Sequence, residues 1–465
     1  MASAQNVTPN PVTPTLASMT KGIDFMGILK WVAIFLLVGL VIGCIYIAVS
    51  QNKAIATPAN VATKIVAQRA AIDANLTRFY TSRIPASQGV PADVSEPVQT
   101  NENCFINYSP LTVQQTGYLG PLLNGAYSET DAVTMALKTG ARCFVLNIDY
   151  YDSNTIMNVD LFGNPNEPIL LYRDSSNVIR STNSGDIGKV AKALSDLAFG
   201  NLVNNPNDPL IVILYFVNTP DVKSDDYLAF MSKVATKLQP LVPYHLGQTP
   251  QGDFHRQQKQ NDIPYQPMSA LEKKVLFFAN VDTSAFRTSK TSYPPNADLD
   301  YLVNLTIYKK STNSLGATPN VTNSIIPRGI VDTIGFFSSI PTDQQNNTVN
   351  DTKMNWTMAL PEWGSNPSFI TMRYLKETLG VQSIPLFICD TSKFTSPAAS
   401  KTVVPAPKAP EDSTENQLGY LLTYWSKVSY RPKPKGIRFV KPDNYTPANP
   451  SPKVDAMGGA VQSPK

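Results

Sequence analysis

Read alone, the sequence predicts an α/β protein: a (β/α)8 TIM-type barrel carrying a long insertion and preceded by a single transmembrane helix. Three observations predict it. Continuous apolar runs such as LIVILYFV (210–217) read as strands buried on both faces. Amphipathic helical stretches separate these runs, which is the pattern of parallel strands with helices outside. Upstream, WVAIFLLVGLVIGCIYIAV (31–49) carries no charge over a length that nearly spans the ~30 Å hydrocarbon core of a bilayer.

Taken in order, residues 1–24 are a polar Pro/Thr-rich tail and residues 25–50 the expected anchor. Trp31 and Tyr46 sit near its ends, where amphipathic rings favour the headgroup level, and Gly39 and Gly43 form a small-xxx-small pair for helix packing. Residues 51–100 read as a linker with a helical stalk, and 101–442 as the barrel. Its eight expected strands are CFINY (104–108), CFVLNID (143–149), ILLYR (169–173), LIVILYFV, KVLFFAN (274–280), NWTMALPE (355–362), SIPLFICD (383–390) and GIRFVKP (436–442). Between them, SETDAVTMALKTG (128–140) ends at Gly140, the residue suited to a left-handed cap. Asp186 caps the next helix, whose Ile187, Val190, Ala191 and Leu194 form one apolar stripe. The Asn/Thr/Pro-rich stretch 283–353 reads as the insertion, and 443–465 as an extended tail.

Composition narrows the function. With 39 basic and 35 acidic residues the formal charge is +4, evenly spread, which argues against nucleic acid. The cysteines Cys44, Cys104, Cys143 and Cys389 have no zinc or disulfide spacing and are expected reduced and buried. Asn304, Asn320, Asn350 and Asn355 stand in glycosylation sequons. The two histidines, His245 and His255, fall in a polar loop with no catalytic neighbour, and are expected to be solvated. The basic run RPKPKGIRFVK (431–441) offers charge to lipid headgroups or an acidic partner. No motif calls for a metal or a cofactor.

Several strand motifs, however, have a recognisable order. AVTMALKTGARCFVLNIDYYDS resembles a helix-then-strand pattern ending in Glu-Leu-Asp-x-Trp-Asp-Gly; EPILLYRDS resembles Glu-Pro-x-x-x-His-Gly-His; NDPLIVILYFVN resembles Pro-x-Ile-Leu-Ser-Leu-Glu-Asn. Over residues 102–282 the chain is thus similar to the phosphatidylinositol-specific phospholipase C catalytic domain and its PLC-like phosphodiesterase relatives. The resemblance places that family's catalytic histidines at Pro110 and Tyr172, with Asp174 two residues beyond the second. It places the metal-binding Asn at Leu111, the Glu-x-Asp pair at Asn147 and Asp149, the later Glu at Val217, and the phosphate-binding lysines at Phe278 and Asn280. Such chemistry needs two imidazoles to move protons and, in the calcium-dependent form, carboxylates to hold the cation. Proline has no ionisable group, and tyrosine titrates near pH 10. The resemblance therefore implies a catalytically degenerate barrel without a bound metal, with Asp149 and Asp152 as a strand-end hydrogen-bonding pair.

From these features the expected function is that of a membrane-anchored, non-catalytic structural or interaction component. The closest description is a minor capsid or virion membrane protein linking a bilayer to a protein shell. Its partners would be the bilayer through 25–50 and other structural proteins through 283–353 and 443–465, and its location single-pass in a membrane. A cell-surface lipid-headgroup or glycan receptor is the alternative, and a divergent phosphodiesterase the second alternative.

Overall fold

The computed structural model describes residues 25–54, 57–81, 97–152, 158–246, 263–313, 328–389 and 418–443, apart from short gaps within them. The chain divides into two units, Met1–Ala56 and Thr57–Lys465. In the first, the apolar run forms the helix Phe25–Ala54. Among the described residues no helix is long and apolar enough to cross a membrane, so the single-pass anchor and the membrane location expected from the sequence are not upheld. The helix runs 30 residues, with side chains described over 29–43. Trp31 is exposed, and a Cβ built on Gly39 or Gly43 meets nothing within 4 Å. Tyr46 lies outside the described side chains.

The second unit is built on seven parallel strands in sequence order: β1 (Thr112–Val113), β2 (Cys143–Asp149), β3 (Leu210–Phe216), β4 (Val275–Ala279), β5 (Val303–Lys309), β6 (Arg328–Thr333) and β7 (Trp356–Leu360). Each pairs in parallel with the next, for example Cys143 with Ile211 and Leu210 with Val275. Both faces are apolar because both are covered. Cys143, Val145, Ile211, Ile213, Leu276, Phe278, Leu305, Ile307, Trp356 and Met358 pack together on one side, and Phe144, Leu146, Ile148, Val212, Leu214 and Phe277 on the other. Trp356 anchors the first set, stacked on Phe105 at 5.3 Å and edge-on to Phe278 at 5.3 Å.

The expected closed barrel of eight strands is thus corrected to a half-barrel of seven parallel strands. In place of an eighth strand, the stretch around Ser383–Leu386 makes one parallel bridge to each edge, Met358 with Ser383 and Val113 with Leu386. Pro385 has no N–H to extend a ladder there. The stretch 104–108 is a short 3-10 turn, Phe105–Asn107, rather than a strand. Of ILLYR only Ile169–Leu170 is strand, antiparallel to β2 and off the main path. GIRFVKP forms no strand. Instead Tyr430–Pro432 pairs antiparallel with Tyr108–Pro110. The presumed insertion supplies β5 and β6, two strands of the sheet itself. The stalk region likewise belongs to this unit: in the helix Pro58–Thr81, Val61, Gln68 and Ile72 are buried, and the Gln68 amide donates to the Cys389 carbonyl at 3.0 Å.

Local signals elsewhere were read correctly. Gly140 adopts φ +92° at the end of the helix Glu129–Lys138, and Asp186 Oδ1 accepts from the Lys189 N–H at 3.0 Å to start Ile187–Leu197. Ile187, Val190, Ala191 and Leu194 on that helix are all buried.

At the end where the strands begin, two remote segments clamp together. The buried Asn107 amide donates to the Glu102 and Phe439 carbonyls, both at 2.7 Å, and its oxygen accepts from the Phe439 N–H at 2.7 Å. Arg438 pairs with Glu102 at 2.8 Å, and the Lys441 N–H bonds the Asn101 carbonyl. The basic run is therefore turned inward. Arg431, Lys433 and Arg438 are all buried, which removes most of the charge it was expected to offer a lipid surface.

Candidate functional site

In strand-helix barrels the chemistry sits where the strands end. Here that mouth is bordered by Gln114–Thr116 after β1, Asn147 and Asp149 in β2, Tyr215 to Asn218 around the end of β3, and Asn280 after β4. The half-buried loop that follows β7, with Trp363 and Gly364, lies over it.

Asp149 is the only carboxylate that the motif reading brings to this mouth, and its side chain is fully buried. Its partner is Arg173, whose Nε donates to Oδ2 at 2.5 Å and Nη2 to Oδ1 at 3.4 Å. The Asn218 amide adds a bond at 2.9 Å and the Tyr150 N–H one at 2.7 Å. Three of these bonds fall on Oδ1 and one on Oδ2, so four donors hold the carboxylate in place. The carboxylate that the sequence reading pairs with Asp152 forms an ion pair with Arg173. Sequence reasoning missed Arg173; the signal was an arginine closing the apolar run ILLYR, brought back beside β2 by the antiparallel turn.

Tyr172 is buried, its ring 5.1 Å from Tyr118 and 6.2 Å from Phe387, and its hydroxyl donates to the Trp363 carbonyl at 3.3 Å. Desolvation pushes the phenols of Tyr118 and Tyr127 far up, so this aromatic wall has no acidic group to offer near neutrality. Asp174 serves its own turn. It accepts from the Ser176 and Val178 N–H groups and pairs with Arg180, and these bonds, the one from Val178 first, hold its carboxyl below the usual range.

Across the mouth lies a plug. Gln114 donates to the Ser365 carbonyl at 2.8 Å and accepts from the Gly364 N–H at 2.9 Å, fixing the loop, while Trp363 packs edge-on against Tyr215 at 5.2 Å. Gly364 has φ +80°, and a Cβ there would lie 2.1 Å from the Tyr172 hydroxyl, so only glycine lets the loop seat this deeply.

Of the remaining predicted positions, Pro110, Leu111 and Phe278 lie away from the mouth, while Val217 and Asn280 stand at its border. Pro110 pairs with Tyr430 in the short antiparallel ribbon, and Leu111 is core, both before β1 begins. The residues that β1 delivers to the mouth are instead Gln114, Gln115 and Thr116, legible in hindsight as the switch from LTV to QQT. Val217 continues the sheet through its N–H to the Ile148 carbonyl. Phe278 faces Trp356 in the core, and Asn280 is pinned by both amide atoms to the Phe216 backbone. Of the buried polar atoms with no hydrogen-bond partner among the described residues, three belong to residues bordering the mouth: Gln115 Nε2, Thr116 Oγ1 and Asn147 Oδ1. Among the described residues no three of His, Cys, Asp or Glu gather as metal ligands would.

His245, expected in a solvated loop, is buried: its Nε2 lies 2.9 Å from the Leu302 carbonyl and its ring stacks on Phe277 at 5.7 Å, at the start of β4 and away from the mouth. His255 lies outside the described residues. Of the sequons, Asn304 is fully buried with its amide oxygen bonded to the Phe277 N–H, which leaves no room for a glycan. Asn350 is exposed, Asn355 is half-buried and donates to the Asp351 carbonyl, and Asn320 lies outside the described residues. Cys104, Cys143 and Cys389 are free and buried, as expected.

No protein-family model matches the chain, and no curated protein matches it. Among solved structures it is similar to PLC21 of L. pealei, at 14% identity and a TM-score of 0.47 over 79% of this chain and 44% of that one. PLC21 of S. officinalis follows at 16% and 0.43, over 64% of this chain and 35% of that one. The chain thus spans less than half the length of either PLC21 protein. The calcium-dependent phosphatidylinositol-specific phospholipase C of Streptomyces antibioticus matches at 12% and 0.37, over 63% of this chain and 98% of that one. The solved structures to which this chain is similar include phosphatidylinositol-specific phospholipases C, the class that its strand motifs resemble.

Proposed function

We propose that this chain is a non-catalytic structural or interaction protein, a PLC-like barrel that serves as a rigid block in a larger protein assembly such as a capsid shell. The observation that carries this reading is the state of Asp149: the mouth's one motif carboxylate is buried, paired with Arg173 and held by four donors, beneath a loop fixed by Gln114 and Tyr172. To act as a general base or a calcium ligand, this carboxylate would have to exchange its arginine partner for a proton or a cation in a buried setting. Its contact surfaces in this reading are the polar helix Gln345–Met354, with exposed Asn346, Asn347 and Asn350, and the segment 443–465. The test is direct: the full chain is assayed on phosphatidylinositol vesicles with and without Ca²⁺, and no turnover is expected. Ca²⁺-dependent hydrolysis that Asp149→Asn abolishes would overturn the reading.

A receptor role is the second reading, favoured by Gln115 Nε2, Thr116 Oγ1 and Asn147 Oδ1, which leave donors and acceptors without protein partners under the plug. Titration calorimetry with inositol and simple sugars separates the two. Binding that Asn147→Leu removes supports the receptor, and silence supports the block.

A further inference from the structure

At the pole where the strands begin, two buried lysines have no carboxylate partner among the described residues. Lys376 donates to the Gln382 carbonyl at 2.9 Å and lies 5.0 Å from the Trp425 ring and 6.0 Å from that of Tyr424. Lys433 donates to the Thr352 carbonyl at 2.7 Å. Gln382 links them, its amide donating to Thr352 at 2.9 Å and to the Ile106 carbonyl at 3.0 Å while its oxygen accepts from the Thr357 N–H. Both lysines are 1% exposed.

The charged groups around this cluster do not relieve it. Arg431 stacks over Tyr424 at 3.9 Å, Lys353 faces Lys433, and the Cys143 thiol faces Lys376. The two nearby acids are engaged elsewhere, Glu102 with Arg438, and Glu377 with Arg373 and Arg431. Burying an ammonium without a counter-charge is costly, and a second one in the same cluster raises the cost. Burial accordingly lowers both amines, Lys376 to about 7 and Lys433 well below its usual range.

We propose that this cluster is an acid-operated latch on the C-terminal clamp: protonation of the Lys376–Lys433 pair releases residues 430–441 from the barrel pole. The closed clamp resists the proton, while an opened clamp exposes Lys433 to water and takes the Arg431 charge away from Lys376, so that both amines accept it. Opening therefore grows as pH falls, by up to tenfold per pH unit for each proton taken up. The latch goes beyond the non-catalytic reading and does not depend on it, because the cluster lies at the opposite end from the mouth.

Hydrogen exchange of the full chain, followed by mass spectrometry from pH 9 to pH 6 and corrected for intrinsic rates, tests it. Residues 430–441 are expected to open at least about tenfold more at pH 7 than at pH 9, while 210–216 stay protected. Lys376→Met, an apolar change of similar volume, is expected to flatten the slope by one proton; Lys433→Met should do the same. Opening of 430–441 that is independent of pH, that tracks 210–216, or that keeps its full slope in Lys376→Met, overturns the latch.

Discussion

Arg173→Met tests whether the mouth is held by the ion pair or merely contains it. The Asp149 side chain is 0% exposed and that of Arg173 16%, so the variant leaves a buried carboxylate with only the Asn218 amide and the Tyr150 N–H. It loses two charge-assisted bonds, each worth about 1.5–3 kcal/mol, and breaking a buried pair from one side costs about 3–5 kcal/mol. Because Arg173 keeps some contact with water, the lower half of that range is expected, about 3 kcal/mol in guanidinium unfolding of the full chain. The double variant Arg173→Met/Asp149→Asn removes the stranded charge and should recover at least about half of the loss. A cost below about 1 kcal/mol for Arg173→Met, or a double variant no better than the single, would refute the claim that Asp149 needs its arginine.

Further outcomes follow from other residues. Lys376 has its folded value lowered to about 7 against an ordinary 10.5, so between those values the unfolded chain holds more protons and stability rises with pH, by about 1.4 kcal/mol per unit for one proton; pH-dependent urea unfolding of wild type and Lys376→Met should differ by that slope. Gly364→Ala places a Cβ against Tyr172 and Leu122 at a positive φ, and should destabilise by about 1–3 kcal/mol and alter near-ultraviolet circular dichroism as Trp363 shifts. Burial pushes the Cys143 thiol up to about 12, so Cys143, Cys104 and Cys389 should resist a thiol reagent at pH 8 until denaturant is added. Fast labelling of any of the three in the native chain would contradict their burial.

The parallel α/β class was legible because buried strands such as LIVILYF and VLFFA are apolar on both faces and need no alternation to be recognised. Helix boundaries were legible where one residue does one physical task, as at Asp186 and Gly140. The irregular half was not. β5 and β6 carry Asn304, Thr306, Gly329 and Asp332, whose polar groups are satisfied by contacts that no local pattern records, such as the bond from the Phe277 N–H to Asn304. Pro385 gave a local reason for the missing eighth strand, yet it sits in the apolar run SIPLFIC. At the mouth, the positions drawn from the resemblance fall within β2 for Asn147 and Asp149 but ahead of β1 for Pro110 and Leu111, because the short antiparallel ribbon at 108–110 looks strand-like and lies just before that strand. Arg173 was invisible as a partner since its pairing with Asp149 spans a turn whose geometry the sequence does not state.

The clamp between residues 101–107 and 433–441 also bears on how the protein is made. Its bonds close loops of more than three hundred residues, such as the 332-residue separation between Asn107 and Phe439 and the 336 between Glu102 and Arg438. Contacts this distant form late, since the loop entropy must be met before they contribute. During synthesis from the N-terminus, Glu102 and Asn107 therefore wait, unpartnered by their final ligands, until Arg438 and Phe439 have left the ribosome. A chain that stops short of Arg438 keeps a carboxylate and an amide exposed at its pole, so the clamp distinguishes barrels that have been translated through to their last structural segment from those that have not.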